Sequence, residues 1–342
     1  MRVFFAPETD AHDPAFFLTR GRVAANEERP ERARRLLAAV ERLGLALESP
    51  PAAGRAALLG VHTARYLDFL ATAHDEWQRL PAPGPEVLPG AQPRLAGSSY
   101  PAIVSGRAGW HLGDLACPVG PATGRAALRS ADCAIAAADR VAAGAREAYA
   151  LSRPPGHHAA AELAAGHCYL NNAALAAERL RAAGARPAIL DIDVHHGNGT
   201  QAIFYDRADI ATISVHADPS VFYPFFTGHA GERGEGAGEG ANHNIALPFG
   251  SGDGAWLEAV AAGLAEVARF GADTLVLALG FDVYGEDPLS GLAITTEGIG
   301  RAGALTARFD GPIVVTQEGG YVSPALTDNA VAFFSAFLEA RR

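Results

Sequence analysis

Lysine is absent: all 28 basic residues are arginine. That removes Schiff-base lysines and the P-loop lysine from the available chemistry. Cysteine is scarce, with only Cys117, Cys133 and Cys168. An odd number without a Cys-x-x-Cys pair argues against a disulfide framework and a zinc knuckle, and fits a reducing compartment. No apolar run approaches the roughly 18 residues that cross a bilayer, and the first residues turn polar too soon for a secretory h-region. The expectation is a cytoplasmic protein with no membrane partner. Positive charge is also short: 28 basic against 38 acidic residues leave a net charge of −10, which excludes nonspecific nucleic-acid binding.

What is present suits a packed core. Of 342 residues, 49% are hydrophobic and 19% charged, far from the composition of disordered chains. Short apolar runs bounded by turn residues predict strands at 2–6, 147–152, 188–194, 210–216, 274–281 and 312–316. Helical periodicity predicts helices at 30–43, 63–79, 124–144, 171–183, 255–270, 297–309 and 325–341, the first opening on Pro30. Alternating apolar strands and helices imply an α/β fold with a parallel sheet covered on both faces. No composition break divides the chain, so one domain over 1–342 is expected. Two stretches read as irregular. Residues 80–123 are rich in proline and glycine, long enough to be functional or interfacial. Residues 228–240 read as a mobile glycine-rich loop, with no strand feeding them that would make a phosphate cradle.

Open α/β sheets bind ligands beyond the carboxyl ends of their strands. There the sequence places Arg153-Pro-Pro-Gly-His157-His158, Asp191-Ile-Asp193-Val-His195-His196-Gly-Asn198-Gly, Gly280-Phe-Asp282 and Glu318-Gly-Gly-Tyr321. A lone Asp or His at a strand end is ordinarily a capping group, but four such endings make a site. In extended backbone Asp191, Asp193 and His195 share a face. Asp193, His195 and Asp282 can then hold one divalent ion with an open position, as catalytic zinc sites do. Iron(II) accepts the same donors. His157 and His158, adjacent on an irregular segment, suit general base and acid work, with Asp191 and Asn198 available to orient them.

These motifs, with Asp287-Pro288 and Arg29-Pro-Glu-Arg32-Ala, resemble the histone deacetylase superfamily, and within it the bacterial acetylpolyamine amidohydrolases. The resemblance runs from the first residues to the last helix. It implies an arginase/deacetylase-like three-layer α/β fold with a central mostly parallel sheet, and zinc on Asp193, His195 and Asp282. It implies His157 and His158 as the catalytic histidines and Tyr321 as the catalytic tyrosine. It further implies structural potassium at an inner site (Asp191, Asp193, His195, Ser214, Val215) and an outer one (Phe204, Arg207, Ile210, His243). Gly166, His167, Tyr223 and Leu289 match the substrate tunnel, His167 standing where Phe or Tyr is common. His158 faces Asn198 where some members have aspartate. The long 80–123 loop matches the one that builds a homodimer and narrows the entrance. The acids that attract a polyamine there are not evident: Ser105, Ala116 and Phe17 occupy those places, Arg20 and Arg22 lie near, and Glu27, Glu28 and Asp114 are the candidate replacements.

The implied activity is removal of an acetyl or short acyl group from a small-molecule amine, with an ε-acetyl-lysine peptide as the alternative substrate and a noncatalytic acyl-group reader as the weakest reading. A dimanganese ureohydrolase would need a ligand where Gly197 stands, and a serine hydrolase would need a Gly-x-Ser-x-Gly elbow that is missing.

Overall fold

A computed structural model describes residues 1–93 and 97–342; residues 94–96 of the expected irregular stretch lie outside it. In chain order the elements are β1 (Arg2–Phe4), β2 (Phe16–Thr19), β3 (Arg22–Ala25), α1 (Pro30–Arg42), β4 (Ala46–Glu48), α2 (Arg55–Leu58), α3 (Ala64–Trp77), α4 (Val104–His111), α5 (Thr123–Ala142), β5 (Glu147–Ala150) and α6 (Asn172–Ala182). They continue with β6 (Pro187–Asp191), α7 (Asn198–Phe204), β7 (Ala211–Ala217), β8 (Asn242–Leu247), α8 (Asp253–Phe270), β9 (Thr274–Leu279), α9 (Thr296–Thr306), β10 (Ile313–Gln317) and α10 (Leu326–Ala340).

Among the described residues, eight strands form one parallel sheet in the order β4-β1-β5-β10-β9-β6-β7-β8. Both faces are apolar because both are covered. On β9, Val276 and Ala278 pack against one core with residues of α3, α5 and α6. Leu275, Leu277 and Leu279 pack against the other with residues of α1, α8, α9 and α10. This alternation of two buried faces is why the central strands read as continuous apolar runs. Local chemistry fixes the helix ends. Asn171 caps α6 by accepting from Ala174 N at 2.9 Å, and Thr295 caps α9 from Gly298 N at 3.0 Å. Gly271 stops α8 in the left-handed conformation at φ 75°.

The structure corrects several expectations. The strand expected over 188–194 ends at Asp191, and Asp193 and His195 lie in the bend after it. Carboxylates that accept backbone N–H groups two residues on compete with the sheet ladder: Asp191 Oδ1 takes Asp193 N at 3.1 Å and Asp193 Oδ1 takes His195 N at 2.9 Å. The irregular stretch 80–123 contains α4. The β2–β3 hairpin, β4, β8, α2 and α7 were not expected. The glycine-rich 228–240 segment is tied down, because the Glu232 carboxylate accepts from Gly228 N at 2.8 Å and Gln201 Nε2 at 2.7 Å. Among the described residues no helix is long and apolar enough to cross a membrane.

Candidate active site

The four motif-bearing strands are neighbours, β5-β10-β9-β6. Parallel strands about 4.8 Å apart deliver four loop starts to one edge of the sheet, which is how segments distant in sequence meet. The ligand atoms of Asp193, His195 and Asp282 lie within 4.8 Å of one another. His195 Nδ1 is 3.2 Å from Asp193 Oδ1 and 3.3 Å from Asp282 Oδ2.

Each group is aimed by its surroundings. Asp193 Oδ2 accepts from Gly319 N at 2.7 Å, and Asp282 Oδ1 from Val194 N at 3.1 Å. At Gly280 and Gly319 an added Cβ would collide with the carboxylates of Asp193 and Asp282, so only glycine lets the backbone pass this close. Phe222 stacks on the His195 ring at 4.9 Å, 13° from parallel. Asp282 Oδ2 is buried without a hydrogen-bond partner. Two fully buried carboxylates, one carrying an orphaned oxygen, are costly unless a cation shares them. The residues therefore fit a divalent ion. A second cluster, His157, Cys168 and Glu318, does not. The Glu318 Oε2 atom is taken by Gly156 N (2.7 Å) and His157 N (2.9 Å), and burial raises the Cys168 thiol pKa far above its ordinary value.

The adjacent imidazoles lie 4.0 Å apart between centroids but have unlike partners. His157 Nδ1 meets Asp191 Oδ2 at 2.9 Å; His158 Nδ1 meets the Asn198 amide oxygen at 2.6 Å. Burial disfavours the charged form of both, but the Asp193 and Asp191 carboxylates override it at His157 and hold its pKa up to about 10. Burial and the neighbouring His157 and His195 push His158 well below the ordinary imidazole value. The carboxylates favour the charged form of one ring and burial the neutral form of the other, an arrangement that separates two roles.

Tyr321 is 3% exposed, and burial raises its pKa well above the usual phenol value, so it keeps its proton. Its N–H donates to Asp287 Oδ2 at 2.7 Å, and Leu289 N donates to the other oxygen of Asp287 at 2.9 Å. The Arg32 guanidinium lies 4.6 Å from the Tyr321 ring centroid. It donates to the carbonyls of Gly320 and Glu318, both at 2.6 Å, and pairs with buried Glu28. Arg153 pairs with Glu28 from the other side at 3.0 Å.

The remaining sequence-derived positions fall as follows. Tyr223 stands against His158 and His195, with centroids at 5.0 and 5.9 Å, and donates to Asp114 Oδ2 at 2.7 Å. Gly166 N donates to the same oxygen at 2.9 Å. The His167 ring is 5.7 Å from Tyr321. Ser214 pairs in register with Asp191 and, with it, lines a small cavity that also takes in Thr200, Gln201 and Asn244. Val215 follows on β7. Phe204 ends α7, with the Arg207 guanidinium 5.1 Å from its ring centroid. Ile210 precedes β7, and His243 on β8 pairs with Ile213. Of the acids offered as gate replacements, Glu28 is fully buried and ion-paired, Glu27 bonds Arg29, and Asp114 alone bonds residues expected in the tunnel, Tyr223 and Gly166. Sequence reasoning gave no role to Arg32, Phe222 or Glu318. Arg32 and Glu318 were visible only as members of motifs, and Phe222 only as the neighbour of Tyr223.

Residues 26–337 match the histone deacetylase domain. The chain belongs to the histone deacetylase family. It is 46% identical over 338 residues to an acetylpolyamine amidohydrolase of Burkholderia pseudomallei, covering 98% of each chain. It is 38% identical over 328 residues to the acetylpolyamine amidohydrolase of Mycoplana ramosa, covering 95% of this chain and 96% of that one. A crystal structure of the Burkholderia pseudomallei acetylpolyamine aminohydrolase superposes with a TM-score of 0.97 at 46% identity, over 99% of both chains. The expected three-layer fold is thus the observed one, and the family's domain implies a metal cofactor, for which Asp193, His195 and Asp282 form a candidate group.

Proposed function

We propose that this protein is a zinc-dependent amidohydrolase that removes an acetyl or short acyl group from a small-molecule amine of the acetylpolyamine class. Asp193, His195 and Asp282 would hold the ion, with iron(II) an acceptable substitute for these donors. When bound, the ion supplies Lewis-acid polarisation of the acyl carbonyl and acidifies water.

The observation that carries the reading is the unlike pairing of His157 and His158 beside three convergent ligand atoms. His158, neutral and held by Asn198, takes the proton of the attacking water. His157, held cationic by Asp191 and Asp193, offsets the negative charge that develops on the acyl group. Tyr321 donates its hydroxyl to the oxygen that becomes anionic. Gly166, His167, Tyr223 and Leu289 form the passage for the amine.

The likeness to the relatives' chains supports two further assignments. Potassium would sit at Asp191, Asp193, His195, Ser214 and Val215, of which Asp191 and Ser214 line a small cavity, and at Phe204, Arg207, Ile210 and His243. The 80–123 segment would carry a homodimer contact. The composition supports a cytoplasmic location.

The test is hydrolysis of acetylputrescine, acetylcadaverine and an ε-acetyl-lysine peptide before and after chelation. Activity lost on chelation and restored by zinc, with the small amines preferred, is the expected result. Activity indifferent to metal would overturn the chemistry, and preference for the peptide would overturn the substrate class.

A further inference from the structure

Nearly every polar group around the site has a partner, and one in the passage does not. His167 is 5% exposed, and its Nδ1 is buried with no hydrogen bond. Its ring lies 5.7 Å from Tyr321 on one side and 5.7 Å from Phe17 on the other. It thus lines the approach from the β2–β3 hairpin to the reacting tyrosine. A buried ring nitrogen left unpaired costs about as much as a lost hydrogen bond.

The backbone holds it there under strain. His167 has φ 67° and Gly166 φ 52°, a left-handed conformation that a residue with a side chain adopts at a cost. Asp114 pins the segment through Gly166 N and ties it to Tyr223. Burial lowers the His167 pKa to about 4, so the imidazole is neutral and has a lone pair to offer. The Asp114 carboxylate nearby and the net charge of −10 both favour a cation in this passage.

We propose that His167 is a specificity-determining residue whose imidazole accepts a hydrogen bond from a secondary ammonium in the leaving amine. The protein then selects acylated amines with an internal N–H over those with an unbroken methylene chain. This rests on the deacetylase reading above and extends it to a residue and a substrate feature. A site built to hydrogen-bond a substrate group discriminates against the analogue lacking it far better than an apolar wall does.

The deciding pair is acetylspermidine acetylated on its four-carbon arm and monoacetylated diaminooctane, equal in length but with a methylene in place of the internal amine. For the zinc-loaded wild type, kcat/KM is expected to favour the triamine by about 10- to 100-fold, the range for a hydrogen bond to a charged group. His167→Phe fills the space without an acceptor. His167→Gly removes the ring and relaxes the left-handed backbone, so it folds even where phenylalanine is strained. Both are expected to lower the ratio about 10-fold or more, to the preference that the triamine's extra charge supplies without the acceptor, whatever happens to the absolute rates. A wild-type ratio near one, or an unchanged ratio in either folded variant, would overturn the assignment. Failure of the zinc-loaded wild type to cleave either compound would instead overturn the deacetylase reading on which it rests.

Discussion

At the scale of residues, chemistry here is set by what each side chain is given to hold. The His158 ring faces an amide where its neighbour faces a carboxylate; with burial and the neighbouring imidazoles lowering His158 and Asp193 joining Asp191 to raise His157, the two rings are driven toward opposite charge states. Asn198→Asp gives His158 a carboxylate partner, which favours its protonated form. The acidic limb of the kcat/KM profile is then expected to move to higher pH, and an unmoved limb would remove His158 from the base role. Tyr321→Phe deletes the buried hydroxyl while keeping the ring against Arg32. By the scale of oxyanion-hole deletions it is expected to cost about 10²–10³ in kcat with zinc content unchanged. Turnover within a few-fold of wild type would show that the hydroxyl is not the donor.

At the scale of elements, α1 reaches under the site. Arg32 and Glu28 are a buried ion pair at its start, and Arg32 also carries the turn between β10 and Tyr321. Removing Arg32 leaves Glu28 to Arg153 alone and two buried carbonyls without their donor, each at a cost of about 1–3 kcal/mol. Arg32→Met is expected to lower the melting temperature and also to reduce kcat, because the 318–320 carbonyls lose their clamp. A normal kcat in the folded variant would make the clamp purely structural. The sequence announced the central strands because both their faces are apolar, and it announced their endings because carboxylates and imidazoles follow those runs directly. It did not announce β8. There Asn242 and Asn244 are buried through bonds to Thr212 and Gln201, a compensation visible only once α7 and β7 lie alongside. The period-two reading of Asp191, Asp193 and His195 brought the right residues together for an incomplete reason, since backbone N–H groups captured by the carboxylates bend the chain at that point. Arg32 stands in a motif and Asp114 among the candidate acids, but both lie far in sequence from the groups they position, so no local pattern gives their roles.

At the scale of the molecule, charge and burial set how the protein responds to its medium. A net charge of −10 draws cations, and salt shortens the reach of that field. The kcat/KM for acetylputrescine is expected to fall as ionic strength rises, while that for an uncharged acylated alkylamine stays level; parallel responses would rule out steering. His12, His62 and His216 are buried and neutral, with burial lowering their pKa values from 6.5 to about 3, about 4 and about 4. The unfolded chain takes up these protons first, so the stability they contribute is complete above pH 6.5 and lost as pH falls toward 4. Thermal denaturation is expected to show a steep decline as pH falls below neutrality; a decline starting only in the carboxylate range would contradict this.

The reacting edge draws on β5, β6, β9 and β10, whose contributions run from His157 to Tyr321. The three candidate ion ligands are complete at Asp282, so a ribosome must release most of the polypeptide before a clasp for the ion can close, and more still before Tyr321 joins it. Fragments ending before β10 would leave synthesis with the tandem histidines and all three ligands, yet without the tyrosine or the glycine turn that braces them.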